Sequence, residues 1–510
     1  MKSDTGKIKT LKQLIRTIEK LKKERKTIVH CHGVFDLIHP GHIRHFTTAK
    51  KYGDILVVTI TADRFVKKGP ERPVFNQDLR CEVLAAIGVV DFVAVIEADS
   101  AVPAIKTIKP HYYVKGSEYK TRKENANIPR KLSEEEAAVS SGGGKLIFTD
   151  EITFSSSHLI NSYLDVYTGA TKLFLESFRR KYSSEKIIND LIKIRNLKIL
   201  VIGDAIIDQY HYSAPIGKST KEPITVHRYL EEESFAGGTL ATANHLAAFS
   251  SNLHLVSLLG KKKSFESFIL KHLNPKINVK FFYHSGQTII KRRFIDQYTN
   301  QKLFQISYLD EEEIGEKLAG SILRYLSKQL PKYDLVIVND YGHGFLTKKI
   351  IRLVCRKAKY LAVNAQANSA NYGFHVISKY PRADFVCIDE TELRLATHER
   401  WGELTNLMKT VYKKIKCKQM LVTRGQYGSQ IYSLKNGLAH VPSLTRKIVD
   451  RVGAGDALFS IAAPCAFLSF DQTLTAFLGN IAAALKIQTI GNKNPLDFKE
   501  MTKFITRLLK

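Results

Sequence analysis

The chain has 510 residues, 44% apolar and 25% charged, which suits two to four globular domains and excludes a disordered, fibrous or collagen-like protein. Its 78 Lys and Arg against 49 Asp and Glu leave a formal charge of +29, a field that draws nucleic acid, acidic lipid or phosphorylated small molecules. Six scattered cysteines without a CxxC pair exclude a disulfide scaffold or zinc site, no apolar run reaches the roughly 18 residues of a membrane span, and the polar start has no secretory core, so a cytoplasmic protein with no membrane partner is expected.

Residues 1–26 read as a basic amphipathic N-terminal helix, with Leu11, Leu14, Ile15, Ile18 and Leu21 at helical spacing. No aromatic residues interleave its lysines for base stacking, so its charge is a solvated helix face and nucleic acid is not the expected partner. From 27 to 165, strand-length apolar runs at 27–29, 55–60, 92–95, 112–114 and 146–148 alternate with helical patterns at 41–52, 77–88 and 102–108. The alternation predicts a mostly parallel sheet with ligands outside the strands' carboxyl ends. Ser133-Glu-Glu-Glu136 predicts a capping box opening a short helix. Residues 166–196 are helical and highly charged, a linker. A second α/β series fills 197–510, with strands at 198–202, 253–259, 335–338, 360–363, 385–388 and 420–422. Segments 210–235 and 281–310, rich in β-branched and aromatic residues, predict a small β lid. The fold class is α/β, with two Rossmann-like parallel-sheet domains.

His30-Cys-His-Gly-Val-Phe-Asp-Leu-Ile-His-Pro-Gly-His42 lies where a strand turns into a helix. Gly33 lets backbone approach a ligand, and the helix's first amides and dipole favour a phosphate. His39 and His42, three apart, can point at one anion. Zinc pairs on helices sit more often four apart with a further ligand, which this stretch lacks. These residues resemble the cytidylyltransferase-like nucleotidyltransferases, whose GxFDxxHxGH signature is met by Gly33, Phe35, Asp36, His39, Gly41 and His42. The resemblance implies Lys67 and Lys68 over a triphosphate, Arg72-Pro-Val and Arg80 in the next segment, Lys115 in a loop similar to VKGxDY, and Ser155, Ser156 and Ser157 at the family's final Ser-Thr-Thr turn. It makes His39, His42 and Lys67 catalytic and assigns Gly33, Phe35, Asp36, Lys68, Lys115 and the three serines to the nucleotide. Glu118 for Asp and serines at 156 and 157 are mild departures, and Asp150-Glu151 is similar to the heptose adenylyltransferase branch. The implied reaction is attack of a sugar-phosphate oxygen on the nucleotide α-phosphate, expelling pyrophosphate, with Mg²⁺ bridging the phosphates.

Asp450-Arg-Val-Gly-Ala-Gly-Asp456 opens an apolar helix. Gly453, Ala454 and Gly455 present amides to developing negative charge, and Asp456 is placed to take a proton from a hydroxyl; a helix cap after a glycine turn is the plainer reading. The second half resembles the ribokinase-like (PfkB) carbohydrate kinases over nearly its whole length. That resemblance implies sugar contacts from Asp204, Asp208, Gly237, Gly238 and Asn244, nucleotide contacts from Thr423, Gly425, Gly428 and Asn480, and an indirect hold of Glu392 on Mg²⁺. Asp340-Tyr-Gly-His-Gly344, and Thr288 with Lys291 and Arg293, resemble stretches of the heptose 7-phosphate kinases. Lys291, Arg292 and Arg293 would meet a phosphate already on the acceptor; charge guarding an edge strand is the plainer reading. Arg451, His343, Asn364-Ala-Gln and Asp389 depart from the family pattern.

Together the halves resemble the bifunctional heptose 7-phosphate kinase/heptose 1-phosphate adenylyltransferase family of lipopolysaccharide precursor synthesis, with the order reversed, which is harmless if each domain folds alone. The resemblance implies ATP (or CTP) as substrate, Mg²⁺, sugar phosphates as ligands, a separate phosphatase between the two steps, and a homo-oligomer. One alternative is the same pair of reactions on another sugar or polyol phosphate with CTP as donor. The alternative of another class is a nucleic-acid-binding or scaffold protein with a degenerate kinase fold. The charge and the substitutions at 343, 364–366 and 451 favour it, and the intact Gly453, Gly455, Asp456, His39 and His42 oppose it.

Overall fold

Alternating apolar runs in the first third become five parallel strands: β1 (Ile28–Gly33), β2 (Ile55–Thr61), β3 (Phe92–Ile96), β4 (Tyr112–Lys115) and β5 (Lys145–Phe148). The computed structural model describes residues 6–70, 72–116, 130–149, 167–310 and 312–510. Ser155–Ser157, Asp150-Glu151 and the 117–119 part of the Lys115 loop lie outside the described residues. The chain divides into two units, the first running to Tyr167 together with Thr506–Leu508 and Lys510, the second from Thr168 to Ile505 with Leu509.

In the first unit the strand order is β3-β2-β1-β4-β5. β1 and β4 are neighbours far apart in sequence, with Cys31 opposite Val114. The order reverses between them, which opens a crevice beyond their carboxyl ends. Val29, Cys31, Val58 and Ile60 pack on Phe46 and Leu84 on one face of the sheet. On the other face Ile28, Val57 and Ala94 pack on Leu14, Ile18 and Ile108. The basic helix Leu11–Lys23 is therefore part of the sheet's cover, and its entry is fixed by a capping box between Thr10 and Gln13. The helix Arg130–Ser141 is already under way three residues before Ser133, so that serine does not open it. Glu135 turns inward to a buried ion pair with Lys115 at 2.8 Å, a contact between distant segments that no local cap signal reports.

The second unit holds β6 (Lys198–Lys218), β7 (Thr225–Gly238), β8 (Asn252–Lys262), β9 (Asn278–Gln287), β10 (Ile289–Asp296), β11 (Lys302–Tyr308), β12 (Leu335–Asp340), β13 (Leu361–Ala365), β14 (Phe385–Asp389), β15 (Gln419–Thr423), β16 (Ser429–Ser433) and β17 (Gly437–Val441). β6 is 21 residues long, so the expected strand 198–202 is only its beginning. Up to Asp204 it lies parallel between β8 and β12. From Ala205 it leaves the main sheet to pair with β7 and β10, with β11 beyond, and these strands form the lid. Tyr210, Tyr212, Phe235 and Ile295 give the lid a small core of its own. The main sheet runs β9-β8-β6-β12-β13-β14-β15-β16-β17, its last two strands antiparallel.

One face of this sheet is covered by the helices Glu316–Gln329, Lys348–Lys357, Glu390–Thr397 and Leu404–Ile415 through residues such as Ile322, Val354, Leu393 and Met408. The other carries Ala454–Phe467, buried along most of its length as its apolar composition dictates, between Thr239–Leu246 and Gln472–Lys486. The helices Gly169–Lys181 and Ser184–Ile192 cover the expected linker, and Phe178 packs 4.2 Å from Phe477 ring to ring. Among the described residues no helix is long and apolar enough to cross a membrane.

Candidate active sites

The crevice at β1 and β4 gathers most of the described residues of the first motif. His39 is the N-cap of the helix Pro40–Lys50, whose first residue is proline, preset for helix entry. The His39 and His42 rings stack at 3.9 Å, and Phe35 sits edge-on to His42 at 5.3 Å. A Cβ on Gly33 would come 2.9 Å from the Phe35 ring, so the close approach that glycine permits is to its own aromatic neighbour. Burial, then His39, His45 and Lys68, push the His42 imidazole down to about 3. It is neutral at pH 7 and gains basicity only when an anion arrives. Lys68 is half-buried within electrostatic reach of it, and Lys67 is exposed next door. The expected nucleotide contact Asp36 is held by this unit's own backbone: it accepts the amides of Val74 at 2.7 Å and Phe75 at 3.1 Å and pairs with Arg72 at 3.1 Å. Lys115 ends β4 at the crevice and pairs with Glu135.

Sequence reasoning gave Arg80 no role of its own. Its buried guanidinium donates to the carbonyls of Val34 at 2.5 Å, Thr61 at 2.9 Å and Phe75 at 3.1 Å and to Asp63 at 2.6 Å. One side chain thus ties the turn after β1 to the end of β2. Behind the turn, Thr59 Oγ1 lies 2.7 Å from His30 Nε2 and 2.8 Å from His32 Nδ1, a polar row that the two-residue alternation of β1 and β2 places there.

The second site lies where β6 leaves the main sheet beside β12, again a point where strand order reverses. Asp204 accepts the amide of Tyr341 at 3.0 Å and that of His343, and burial, then Asp340, raises its carboxyl to about 7. Asp208, four residues on, pairs with Arg293 at 2.5 Å and meets Asn492 Nδ2 at 3.4 Å. Gly237 leaves it room, since a Cβ there would stand 2.1 Å from Asp208 Oδ2, and Gly238 follows as the cap of the next helix. Lys291 is in register with Asp208 across β6 and β10, its Nζ 5.6 Å from the Tyr341 ring centroid. Burial lowers its pKa against the pull of Asp208, Asp204 and Asp456.

Gly453 caps the helix Ala454–Phe467 with φ +80°, and a Cβ on it would lie 2.3 Å from Asn492 Oδ1. Nothing stands within 4 Å of a Cβ on Gly455, so the turn is open at that residue while Asn492 backs it at Gly453. Asp456 on that first turn accepts the Tyr341 hydroxyl at 2.6 Å, and burial raises it to about 6 while the tyrosine bond pulls it down. A raised carboxylate on the first turn of a helix can accept a proton while helix-start amides hold anionic oxygen; the Ala454 amide already donates to Arg451 O at 3.3 Å. Of the three cations expected for an acceptor phosphate, Arg293 is taken by Asp208 and Arg292 by Gln209 at 3.0 Å and the Tyr308 hydroxyl at 3.1 Å.

Residues 196–499, more than half of the chain, match the family model described as pfkB family carbohydrate kinase. The chain belongs to the pfkB family. Ahead of that match, residues 30–190 match the cytidylyltransferase-like model, so the cytidylyltransferase-like domain precedes the kinase domain. Curated relatives carry the name bifunctional protein HldE. The one from Citrifermentans bemidjiense is 22% identical over 300 residues, covering 58% of this chain and 61% of its own, and that from Campylobacter jejuni 27% over 313 residues, covering 60% and 64%. The one from Aliarcobacter butzleri is 41% identical over 114 residues, 22% of this chain and 24% of its own. The chain spans about three fifths of the length of the first two relatives. Phosphofructokinase-2 from Escherichia coli, at a TM-score of 0.50 and 13% identity over 62% of this chain and 100% of that one, shares the fold.

Within the pfkB unit the remaining expected residues divide. Thr423 ends β15, and Arg424 N donates to Gly428 O at 2.8 Å, closing a turn with positive φ at Gly425 and Gly428. Asn480 donates to the carbonyls of Val441 and Pro442 at 3.1 and 3.3 Å, bracing the end of β17. Asn244 uses both ends of its amide on the turn after the helix Glu266–His272, donating to His272 O and accepting Asn274 N, each at 2.9 Å. Glu392 forms a capping box with Asp389 and also accepts Ala367 N at 3.0 Å; burial raises it to about 8. Both its oxygens face backbone amides, so it does not fit a direct metal ligand. Among the described residues no three metal-binding side chains converge.

Asp340 is held by the Tyr380 hydroxyl at 2.5 Å, Lys379 at 2.7 Å and Gly342 N at 3.1 Å, a brace for the loop that carries Tyr341. His343 stands where the resemblance expects lysine; burial, then Lys291, lowers it to about 3, so it adds no charge at pH 7. Sequence reasoning missed the surroundings of Asp450, which accepts the Tyr210 hydroxyl at 2.6 Å and Gly491 N at 2.8 Å and pairs with Lys302.

Proposed function

We propose that the chain joins two transferases of one route. The pfkB half moves the γ-phosphoryl group of ATP to O1 of a sugar, best heptose 7-phosphate. The cytidylyltransferase-like half moves a nucleotidyl group to a sugar 1-phosphate, releasing pyrophosphate and giving an ADP-heptose. The observation that carries this reading is Asp456, buried, raised to about 6, and set directly after Gly455, where the helix start is open. The acceptor hydroxyl lies against Asp456, oriented by Asp204 and Asp208. Asp456 takes the proton as the oxygen bonds to the γ-phosphorus and the bond to ADP breaks. The amides of the glycine turn receive charge on the transferring oxygens.

In the first half a sugar-phosphate oxygen bonds to the α-phosphorus and the bond to pyrophosphate breaks. His39, His42, the helix-start amides and Lys67 and Lys68 orient and neutralise the triphosphate, and no protein nucleophile takes part. Mg²⁺ arrives with the nucleotide's phosphates as part of the substrate. A separate phosphatase has to remove the older phosphate between the steps. Both substrates place the chain in the cytoplasm, and the exposed Tyr229, Phe304 and Ile306 of the lid support a homo-oligomer.

A second reading has its own support. With Arg292 and Arg293 engaged and His343 neutral, Lys291 is the cation left for an acceptor phosphate. That favours another sugar or polyol phosphate as the acceptor, the reading in which CTP is the donor of the nucleotidyl step. Mass spectrometry of products from ATP or CTP with heptose and hexose phosphates tests both. A doubly phosphorylated heptose and ADP-heptose support the first reading, and turnover of other acceptors alone selects the second. No turnover with any acceptor, together with salt-sensitive nucleic-acid binding, would overturn both.

A further inference from the structure

The helix Gln472–Lys486 carries a single charge, on its last residue, and that lysine is 2% exposed. Lysine is seldom buried so completely without a demand on its charge. Lys486 Nζ donates to Gly491 O at 2.5 Å and to Thr489 Oγ1 at 3.4 Å, and its Cε lies 3.2 Å from where a Cβ on Gly453 would sit. Gly491 is thereby held from both ends, its carbonyl by Lys486 and its amide by Asp450 at 2.8 Å. The next residue, Asn492, closes on the Gly453 turn with its oxygen and on Asp208 with its nitrogen. The helix C-terminus favours a cation at this position.

We propose that Lys486 is a positioning residue of the phosphoryl-transfer site, bracing the 489–492 loop under the Gly453 turn and supplying a fixed positive charge to Asp456 and to the group in transfer. This rests on the kinase reading of the second unit. Burial lowers Lys486 to about 8, against the carboxylates Asp450, Asp456 and Asp208 and with the help of Lys302. His245 on the helix Thr239–Leu246 also faces it, but burial, then Lys486, lowers that imidazole to about 3, so it stays neutral through this range. Its charge is therefore present at neutral pH and lost as pH rises past about 8, so phosphorylation falls on the alkaline side. Removing the charge also raises the Asp456 carboxyl.

The test uses the full chain with K486M and K486R, ATP, and a sugar that the wild type turns over. K486M should lower kcat by about 10²-fold with the acceptor KM nearly unchanged, move the acid limb of the pH profile upward and abolish the alkaline fall. K486R should recover much of kcat and hold its rate above pH 8. Nucleotidyl transfer should be unchanged in both variants. A folded K486M with the wild-type profile, or equal loss in both variants with no shift of either limb, overturns the proposal. A crystal structure of K486M reads the brace without any turnover: the 489–492 loop and the Gly453 turn should move together, and unmoved segments overturn it even if no acceptor is found. Failure of the wild type to phosphorylate any sugar would instead count against the kinase reading.

Discussion

The Tyr341 hydroxyl donates a 2.6 Å hydrogen bond to Asp456 Oδ1, while the same residue's amide donates to Asp204 Oδ2 at 3.0 Å. One buried tyrosine thus fixes both carboxylates that the proposed reaction sets beside the acceptor. Burial raises Asp456 to about 6 and the tyrosine bond opposes it. A proton-accepting Asp456 must be ionised, so the phosphorylation rate should climb tenfold per pH unit below about 6 and level off above it, up to the alkaline fall that Lys486 sets past about 8. Tyr341→Phe removes the bond that favours the ionised form, so the limb should move to higher pH, by about one unit. The loss should be several-fold at pH 6 and small at pH 8. A pH–rate profile of the variant decides this, and an unmoved limb would show that Asp456 is not the titrating group.

The two proposed catalytic sites share no residue and lie in different units. Asp456→Asn should lower phosphorylation by about 10²–10⁴-fold and leave pyrophosphate release within about twofold. His39→Ala and His42→Ala should do the reverse, because they sit at the start of the helix Pro40–Lys50 in the other unit. Coupled assays of both reactions on each purified variant check this. Loss of both activities in one folded variant would sink the picture of two independent sites.

What could be read from the chain beforehand followed distance along it. The strand alternation, the His39–His42 turn and the Gly453–Asp456 turn are local patterns, and each has the expected backbone. The residues of β6 beyond Asp204 change sheets without breaking, so the local pattern marks only its beginning and only pairing with β7 and β10 reveals the rest. Arg293 looked available for an acceptor phosphate because its partner Asp208 lies 85 residues away, brought close by the β6–β10 register. The bonds of Asn244, expected at the sugar from its place in the pattern, run to a turn 30 residues on, which no local signal reports. Lys486 did leave a signal, a lone charge in an apolar helix, but its partners lie on a loop with no motif.

Lys291 is the test of what the acceptor carries. If a phosphate on the sugar is read there, Lys291→Met should raise the KM for a phosphorylated acceptor about tenfold or more, the scale of one lost charge-assisted hydrogen bond. An acceptor without that phosphate should be nearly unaffected. Arg293→Met should behave differently, since it leaves Asp208 without its 2.5 Å partner. It should impair both acceptors and lower the stability of the lid. Steady-state kinetics on a matched pair of acceptors separates the two roles, and equal KM changes in K291M for both would remove Lys291 from phosphate recognition.

Arg80 makes the corresponding claim for the first unit, this time on stability. Its guanidinium serves three carbonyls and Asp63 from a buried position. Arg80→Met keeps the packing stem but orphans the carbonyls of Val34 and Thr61, at about 1–3 kcal/mol each, so a loss of about 3 kcal/mol is expected. Arg80→Lys should recover only part of this, because one ammonium cannot span the fork's several directions. Urea denaturation should show the early transition in the unit that contains Arg80, with phosphorylation by the second unit retained until its own transition. The same loss should loosen the turn that carries Phe35 and Asp36, so nucleotidyl transfer should weaken in R80M well below its melting temperature. If R80M unfolds at the wild-type midpoint, the turn is held by something other than this fork.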